Sequence, residues 1–216
     1  ARDPEGRAFL AWTTTPWTLP SNLALALGPE IEYVKVADGS EQYILAEERL
    51  PTYYKNPEQY RIVQKYRGKQ LAGIGYEPLF PYFASLREKG AFRTYIADYV
   101  STEEGTGIVH TAPGFGEDDY SLLKDTEVPT VCPVDGEARF TEEVSDYQGL
   151  FVKDADKQII KDLKAKGAVV HHSSYLHSYP HCWRCSSPLV YRAISSWFVN
   201  VQKFKDSMLA ANSRLF

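Results

Sequence analysis

The sequence predicts a mainly β fold with peripheral helices, an α+β domain whose body is β-barrel-like. Short strand-like runs separated by turn residues dominate the chain. Only one long segment has clear helical spacing, and a hydrophobic content of 44% in 216 residues is ample for a core. We predict a lead-in linker over residues 1–8, the body over residues 9–172 and a return segment over residues 173–216.

The predicted strands are brief. The first covers residues 9–12 and should stop near Thr15, because Pro16 cannot donate to a strand ladder. The dipeptide Asp38-Gly39 predicts a hairpin turn. The other predicted strands cover residues 31–36, 42–46, 60–66, 95–100, 107–110 and 168–170.

The clearest predicted helix covers residues 152–166, and Gly167 is its expected C-cap. Its apolar positions recur at four-residue intervals at Ala155, Ile159 and Leu163. We also predict a short helix within residues 115–125. Residues 196–214 are predicted to form a strand or extended segment followed by a helix.

Composition excludes several classes of protein. The net charge of -4 argues against a non-specific nucleic-acid binder, although it permits contact with one nucleic-acid end. No apolar run reaches about 18 residues, so no membrane span is predicted. The motifs GxxxxGKS/T, GxGxxG and HExxH are not found in the sequence. Three cysteines suggest a reducing compartment, which we take as the cytoplasm.

The first motif with chemical potential is AWTTTPWTLPSN, residues 11–22. Thr13, Thr14 and Thr15 present hydroxyls and backbone groups where the first predicted strand ends. This arrangement suits a small polar ligand, and it contains no nucleophile paired with a base.

The second motif is GTGIVHTAPGFGEDDY, residues 105–120. His110 ends a predicted strand beside a glycine-rich turn, where it is either a structural histidine or part of a pocket. The acidic run either caps the following helix or points one carboxylate back toward the strand end, where it could bind an ammonium group. No serine or second histidine is spaced to form a hydrolytic triad with His110.

The third motif is SYPHCWRCSSPLVY, residues 178–191, with a single CxxC pair at Cys182 and Cys185. A structural zinc ion needs four ligands, so this pair is either half of a site completed outside the chain or two reduced structural thiols. His177 and His181 lie nearby in the sequence. Cys132 is most simply a small buried apolar residue.

Together, the three motifs resemble class I aminoacyl-tRNA synthetases. Thr13-Thr14-Thr15-Pro16 favours the isoleucyl branch, because the valyl and leucyl branches carry a TTRP version. The HIGH-type and KMSKS-type ATP motifs of the family are not found. The resemblance therefore implies the inserted editing domain of this family, with the valyl/leucyl/isoleucyl type of β-barrel-like fold and without ATP-dependent ligase activity, excised from a longer enzyme.

The resemblance implies hydrolysis of valine wrongly attached to tRNA(Ile). A hydrophobic pocket cannot strongly reject a ligand smaller by one methylene, a limit for which the isoleucyl enzymes are the standard example. A second site would admit valine, exclude isoleucine and let water attack the ester, mainly through positioning. The alternative is a module that binds the tRNA acceptor end without hydrolysing it.

The resemblance also assigns roles to individual residues. Asp119 anchors the α-ammonium group, His110 forms a wall that excludes isoleucine, and Trp12 shapes that wall. The remaining implied site residues orient water and the ribose or shape the site, namely Thr13, Thr14, Thr15, Asn22, Gly114 and Phe115.

The implied partners are the acceptor end of tRNA(Ile) carrying valine and the rest of the synthetase, with no membrane. We expect the isolated domain to be monomeric. Editing should need no cofactor, and a structural zinc ion should need ligands outside this chain in addition to Cys182 and Cys185.

Overall fold

The computed structural model describes residues 1–174, 176 and 178–214. A four-stranded sheet consists of β1 (Ala8–Phe9), β3 (Glu32–Asp38), β4 (Glu41–Ala46) and β5 (Arg61–Arg67). Its strand order is β1-β4-β3-β5. Strands β3 and β4 form an antiparallel hairpin around Gly39 and Ser40, as the Asp38-Gly39 signal predicts, and β1 pairs with β4 in parallel.

A second, three-stranded sheet contains residues 108–111 of the second motif. Its central strand β2, Ala24–Leu27, pairs in parallel with β6, Arg93–Ile96, and antiparallel with β7, Ile108–Thr111. All four residues of β2 are buried. Sequence reasoning missed β2, because a short continuous apolar run does not distinguish a buried strand from a buried helix.

The helices lie around the sheets. The α-helices are α1 (Leu50–Tyr53), α2 (Glu117–Leu123), α3 (Val152–Ala165) and α4 (Lys205–Asn212). Short 3₁₀ segments cover Pro16–Ser21, Glu47–Arg49, Pro57–Gln59, Gly68–Leu71, Ala84–Lys89, Glu142–Tyr147 and Val201–Lys203. Within the described part of the chain, no helix is both long enough and apolar enough to span a membrane.

Helix α3 confirms the prediction from its spacing. It buries Ala155, Ile159 and Leu163, and these side chains join the hydrophobic core that also contains residues of both sheets. The helix ends in a Schellman motif, because Gly167 has a φ of +64° and its N–H bonds the carbonyl of Lys164.

The mainly β fold with peripheral helices is confirmed, but the two sheets are open and form no closed barrel among the described residues. The predicted strand at residues 168–170 is wrong: the chain leaves α3 there without a partner strand, and Val170 is exposed. The strand predicted over residues 95–100 ends at Ile96, because the chain turns between Ala97 and Val100. The first strand ends at Phe9, and Trp12 makes only an isolated bridge.

Candidate functional site

A cleft of about 290 Å³ lies where the first and second motifs meet. Its walls come from the threonine segment, the loop before β7, β7 itself and the beginning of α2. Most of the residues predicted for the site line this cleft together: Trp12, Thr13, Thr14, Thr15, His110, Phe115 and Asp119. Two segments almost 100 residues apart in the sequence therefore form one pocket.

The threonine segment runs beside β7, since Trp12 forms a parallel bridge with Val109. The N–H of Thr15 donates to the hydroxyl oxygen of Thr13 at 3.0 Å, a local turn typical of Ser and Thr. The hydroxyl oxygens of Thr13 and Thr15 lie 3.2 Å apart. Pro16 then begins the 3₁₀ segment, so the chain turns away and leaves these hydroxyls in the cleft wall.

Asp119 lies in the first turn of α2 and points back to the end of β7. Its Oδ2 accepts a hydrogen bond from the N–H of Ala112 at 2.8 Å. Burial raises the pKa of Asp119 above its ordinary value, and the nearby Asp118 acts in the same direction. The carboxylate is therefore costly to ionise until a cation reaches it.

One oxygen of Asp119 is available to a ligand. Oδ1 has no hydrogen-bond partner in the part of the chain that the structure describes. Among those residues, no lysine or arginine lines the cleft. The site can therefore bind a small cationic group such as an ammonium.

His110 is buried, with 8% of its surface exposed. Its Nε2 lies 2.9 Å from the hydroxyl of Thr18, and its Nδ1 lies 2.7 Å from the amide nitrogen of Asn22. Burial lowers the pKa of His110 to about 4, so the ring is neutral at pH 7. With both nitrogens hydrogen-bonded to the protein, His110 contributes shape to the cleft and does not serve as a base.

Two residues predicted for the site do not line the cleft. Asn22 is buried behind His110, and its amide nitrogen also donates to the carbonyl of Ala24 at 2.9 Å. Gly114 packs so closely on the backbone of Val131 that a Cβ atom at Gly114 would lie 2.1 Å from the carbonyl oxygen of Val131. Its own carbonyl accepts the N–H of Ala193 at 2.7 Å. Both residues support the cleft from behind.

Sequence reasoning missed Thr18 and the loop of residues 101–107. Thr18 donates to the carbonyl of Thr15 at 2.9 Å and lines the cleft. Recognising the 3₁₀ segment could have identified it, since residues i and i+3 share one side of such a helix. Arg49 holds the loop by donating to the carbonyls of Gly105 at 2.8 Å and Glu103 at 3.2 Å. Nothing in the local sequence indicated this contact.

Cys182 and Cys185 lie in a tight turn away from the cleft. The N–H of Ser186 donates to the carbonyl of Cys182 at 2.8 Å, and Ser186 has a φ of +56°. No group of three or more metal-ligating side chains occurs among the described residues, and His177 lies outside them. A zinc half-site at this pair stays a prediction.

Sequence comparison shows that the chain is similar to known isoleucine–tRNA ligases. No model of a protein family matches it. The isoleucine–tRNA ligase of Treponema denticola is 56% identical over 98% of this chain and 21% of its own length. The isoleucine–tRNA ligase of Chlamydia pneumoniae is 49% identical over 98% of this chain and 20% of its own length. The chain therefore spans about a fifth of these curated relatives.

Solved structures match the fold at much lower sequence identity. The crystal structure of GlLeuRS-CP1 has a TM-score of 0.63 and 16% identity, covering 79% of this chain and 85% of that one. The P. falciparum cytosolic leucyl-tRNA synthetase editing domain has a TM-score of 0.53 and 12% identity, covering 74% of this chain and 77% of that one. Since the sequence matches extend along nearly the whole chain, the chain is similar to one segment of the isoleucine–tRNA ligases, and it has the fold of synthetase editing domains.

Proposed function

We propose that this chain is an editing hydrolase that cleaves the ester linking valine to tRNA(Ile) and excludes isoleucine by size. The identity to isoleucine–tRNA ligases and the editing-domain fold support an editing role in general. That the substrate is valine esterified to tRNA(Ile) is our own further inference. It draws on the resemblance of the motifs and on the chemistry of the cleft.

The observation that carries the proposal is that the free carboxylate oxygen of Asp119 and the threonine segment line the same small cleft. An aminoacyl ester presents an ammonium group next to its carbonyl. With the ammonium on Asp119, the carbonyl can lie near Thr13 and Thr15. A cleft of about 290 Å³ is at the lower end of ligand pockets, so it suits the amino acid and the end of the tRNA rather than a larger substrate.

Catalysis then rests on positioning. Water attacks the ester carbonyl and the bond to the ribose oxygen breaks. The ribose oxygen takes one proton of the water and leaves as a hydroxyl, and the amino acid leaves as a carboxylate while the second proton passes to solvent. His110 cannot take the proton, because both of its nitrogens are hydrogen-bonded to the protein. Asp119 paired with an ammonium is a poor base. The hydroxyls of Thr13, Thr14 and Thr15 orient the water and the ribose, and a free ribose hydroxyl assists.

The proposed partners are the tRNA acceptor end and the remaining four-fifths of the synthetase. Large apolar side chains of the return segment are exposed, with Trp197 at 101% and Phe198 at 90%. Such a surface is expected to be covered by another part of a protein. We propose no cofactor for editing, and structural zinc only where further ligands join Cys182 and Cys185.

The test measures release of labelled amino acid from tRNA(Ile) charged with valine or isoleucine, by the chain and by an intact ligase containing it. We expect cleavage of the valyl ester only. Asp119→Asn keeps an acceptor for the N–H of Ala112 but removes the charge, so cleavage should fall about 10- to 100-fold, the effect of losing a charge-assisted hydrogen bond. The matched control is Asp118→Asn, an exposed carboxylate that does not line the cleft.

Two outcomes would count against the proposal. Binding of both charged tRNAs without cleavage would favour the acceptor-end binding module instead. Full activity in Asp119→Asn would mean that the ammonium is held elsewhere.

A further inference from the structure

We propose that Tyr76, which lies outside the cleft, is a positioning residue for size discrimination: through Asn22 it holds the His110 ring as a fixed wall. The inference rests on the proposed function, since discrimination matters only if the cleft binds aminoacyl groups. Tyr76 is absent from the three motifs and from the residues that line the cleft. Its role follows from a run of buried hydrogen bonds that ends at the threonine segment.

The direction of these hydrogen bonds is determined at Ala24. A carbonyl can only accept, so the Asn22 atom 2.9 Å from the Ala24 oxygen is the amide nitrogen. The same nitrogen lies 2.7 Å from His110 Nδ1. Nδ1 is therefore the acceptor, and the proton of the neutral ring is on Nε2.

The hydrogen bonds continue from His110 to the cleft. The Nε2–H group donates to the hydroxyl of Thr18, 2.9 Å away. That hydroxyl donates in turn to the carbonyl of Thr15 at 2.9 Å. Two hydrogen bonds thus connect the His110 ring to the backbone carbonyl of Thr15 in the cleft wall.

Tyr76 provides the other end of the network. Its hydroxyl donates to Asn22 Oδ1 at 2.6 Å, and its side chain is completely buried. Its backbone N–H bonds the carbonyl of Phe92 at 2.8 Å, and the two rings pack edge to face. Tyr76 is therefore a rigid donor for an oxygen that would otherwise be a buried, unpaired acceptor.

Removing the Tyr76 hydroxyl should allow the His110 ring to change its orientation in the cleft wall. A buried oxygen without a donor is costly, so the Asn22 side chain would rotate to find one. The His110 ring, whose Nδ1 lies 2.7 Å from the Asn22 amide, can supply a donor by moving its proton from Nε2 to Nδ1. The rotation also breaks the hydrogen bond from Asn22 to Ala24, so both arrangements should be populated. The ring would then lose its fixed contact with Thr18, and the cleft would exclude an extra methylene less well.

The experiment compares Tyr76→Phe with Tyr147→Phe, a matched loss of a buried tyrosine hydroxyl that bonds Asp162 on α3 at 2.8 Å. ¹⁵N NMR of histidine-labelled protein reports which ring nitrogen of His110 carries the proton, with the signal assigned by its loss in His110→Gln. Titration with non-hydrolysable valyl- and isoleucyl-adenosine analogues gives the ratio of the two dissociation constants.

We expect the Nε2–H form alone in the wild type and in Tyr147→Phe. Tyr76→Phe should show both ring forms and an about tenfold loss of the valyl preference, the scale of one hydrogen bond. Wild-type protein protonated on Nδ1 would overturn the proposal without any variant. An unchanged ring form and preference in Tyr76→Phe would also overturn it.

The two readouts separate this inference from the proposed function. If the wild type binds neither analogue or binds both equally, the proposed function fails and the discrimination role fails with it. The ring form in Tyr76→Phe then still shows whether Tyr76 positions His110.

Discussion

Asp156 on α3 is an ionisable group that should lower the stability of this protein at neutral pH. Its Oδ1 accepts the N–H of Trp17 at 2.8 Å, directly after the threonine segment. Burial raises the pKa of Asp156 from 3.8 to about 6, although this hydrogen bond and Lys153 act in the opposite direction. Asp156→Asn keeps an acceptor for Trp17 and removes the charge.

The expected gain follows from the pKa difference. A rise from 3.8 to about 6 corresponds to about 3 kcal/mol at full burial. Asp156 is only partly buried, so solvent screening reduces the expected effect to about 1–2 kcal/mol. Because the folded-state pKa is the higher one, the folded state binds more protons between pH 4 and 6. The cost of Asp156 is therefore absent below this range and complete above it.

Urea unfolding at pH 4.5 and pH 7.5 measures the free energy of unfolding of both proteins. Asp156→Asn should be more stable by about 1–2 kcal/mol at pH 7.5, and the gain should shrink at pH 4.5. The control is Asp154→Asn, an exposed carboxylate in the first turn of the same helix, which should lose a few tenths of a kcal/mol at most. A variant less stable than wild type at pH 7.5 would refute the reasoning, as would a gain independent of pH.

Three further predictions concern the cleft, the loop behind it and the CxxC pair. His110→Ala should let the isoleucyl-adenosine analogue bind almost as tightly as the valyl one, measured by titration; retained preference would remove His110 as the wall. Gly114→Ala should cost at least about 2 kcal/mol in urea unfolding, since its Cβ would overlap the Val131 carbonyl. Gly136→Ala, with only Arg192 at 4.0 Å, is the control and should change little. A chelator should leave the circular dichroism spectrum of this chain unchanged; a lost signal would indicate a complete metal site.

The elements that could be predicted were those whose signal is local. Helix α3 has its apolar spacing, and Gly167 supplies its end. The hairpin of β3 and β4 depends on a glycine with a φ of +57° in a two-residue loop. In both cases, neighbouring residues alone determine the backbone.

The missed features depend on contacts between distant residues. Strand β2 has no period of two because it is buried on both faces. Tyr76 reaches Asn22 across 54 positions of the sequence, and Arg49 reaches the loop at Gly105 across 56. No spacing rule covers such pairs, so the supports of the cleft emerge only from the fold.

The predicted site residues were close to the cleft, but the chemistry of two of them depends on their surroundings. The sequence left His110 as either a structural histidine or part of a pocket, and the structure shows both features: it lines the cleft, while burial and two hydrogen bonds keep its ring neutral and engaged. A carboxylate in the first turn of a helix suggests a cap, yet Asp119 accepts the N–H of Ala112 and lines the same cleft as the threonines. Under the proposed function, Asp119 binds the ammonium group, the His110 ring limits the size of the amino acid, and a water held by the threonine hydroxyls attacks the ester. In such a site, moving the His110 wall should change which ester is cleaved, whereas removing the Asp119 charge should slow the cleavage of every ester by about 10- to 100-fold.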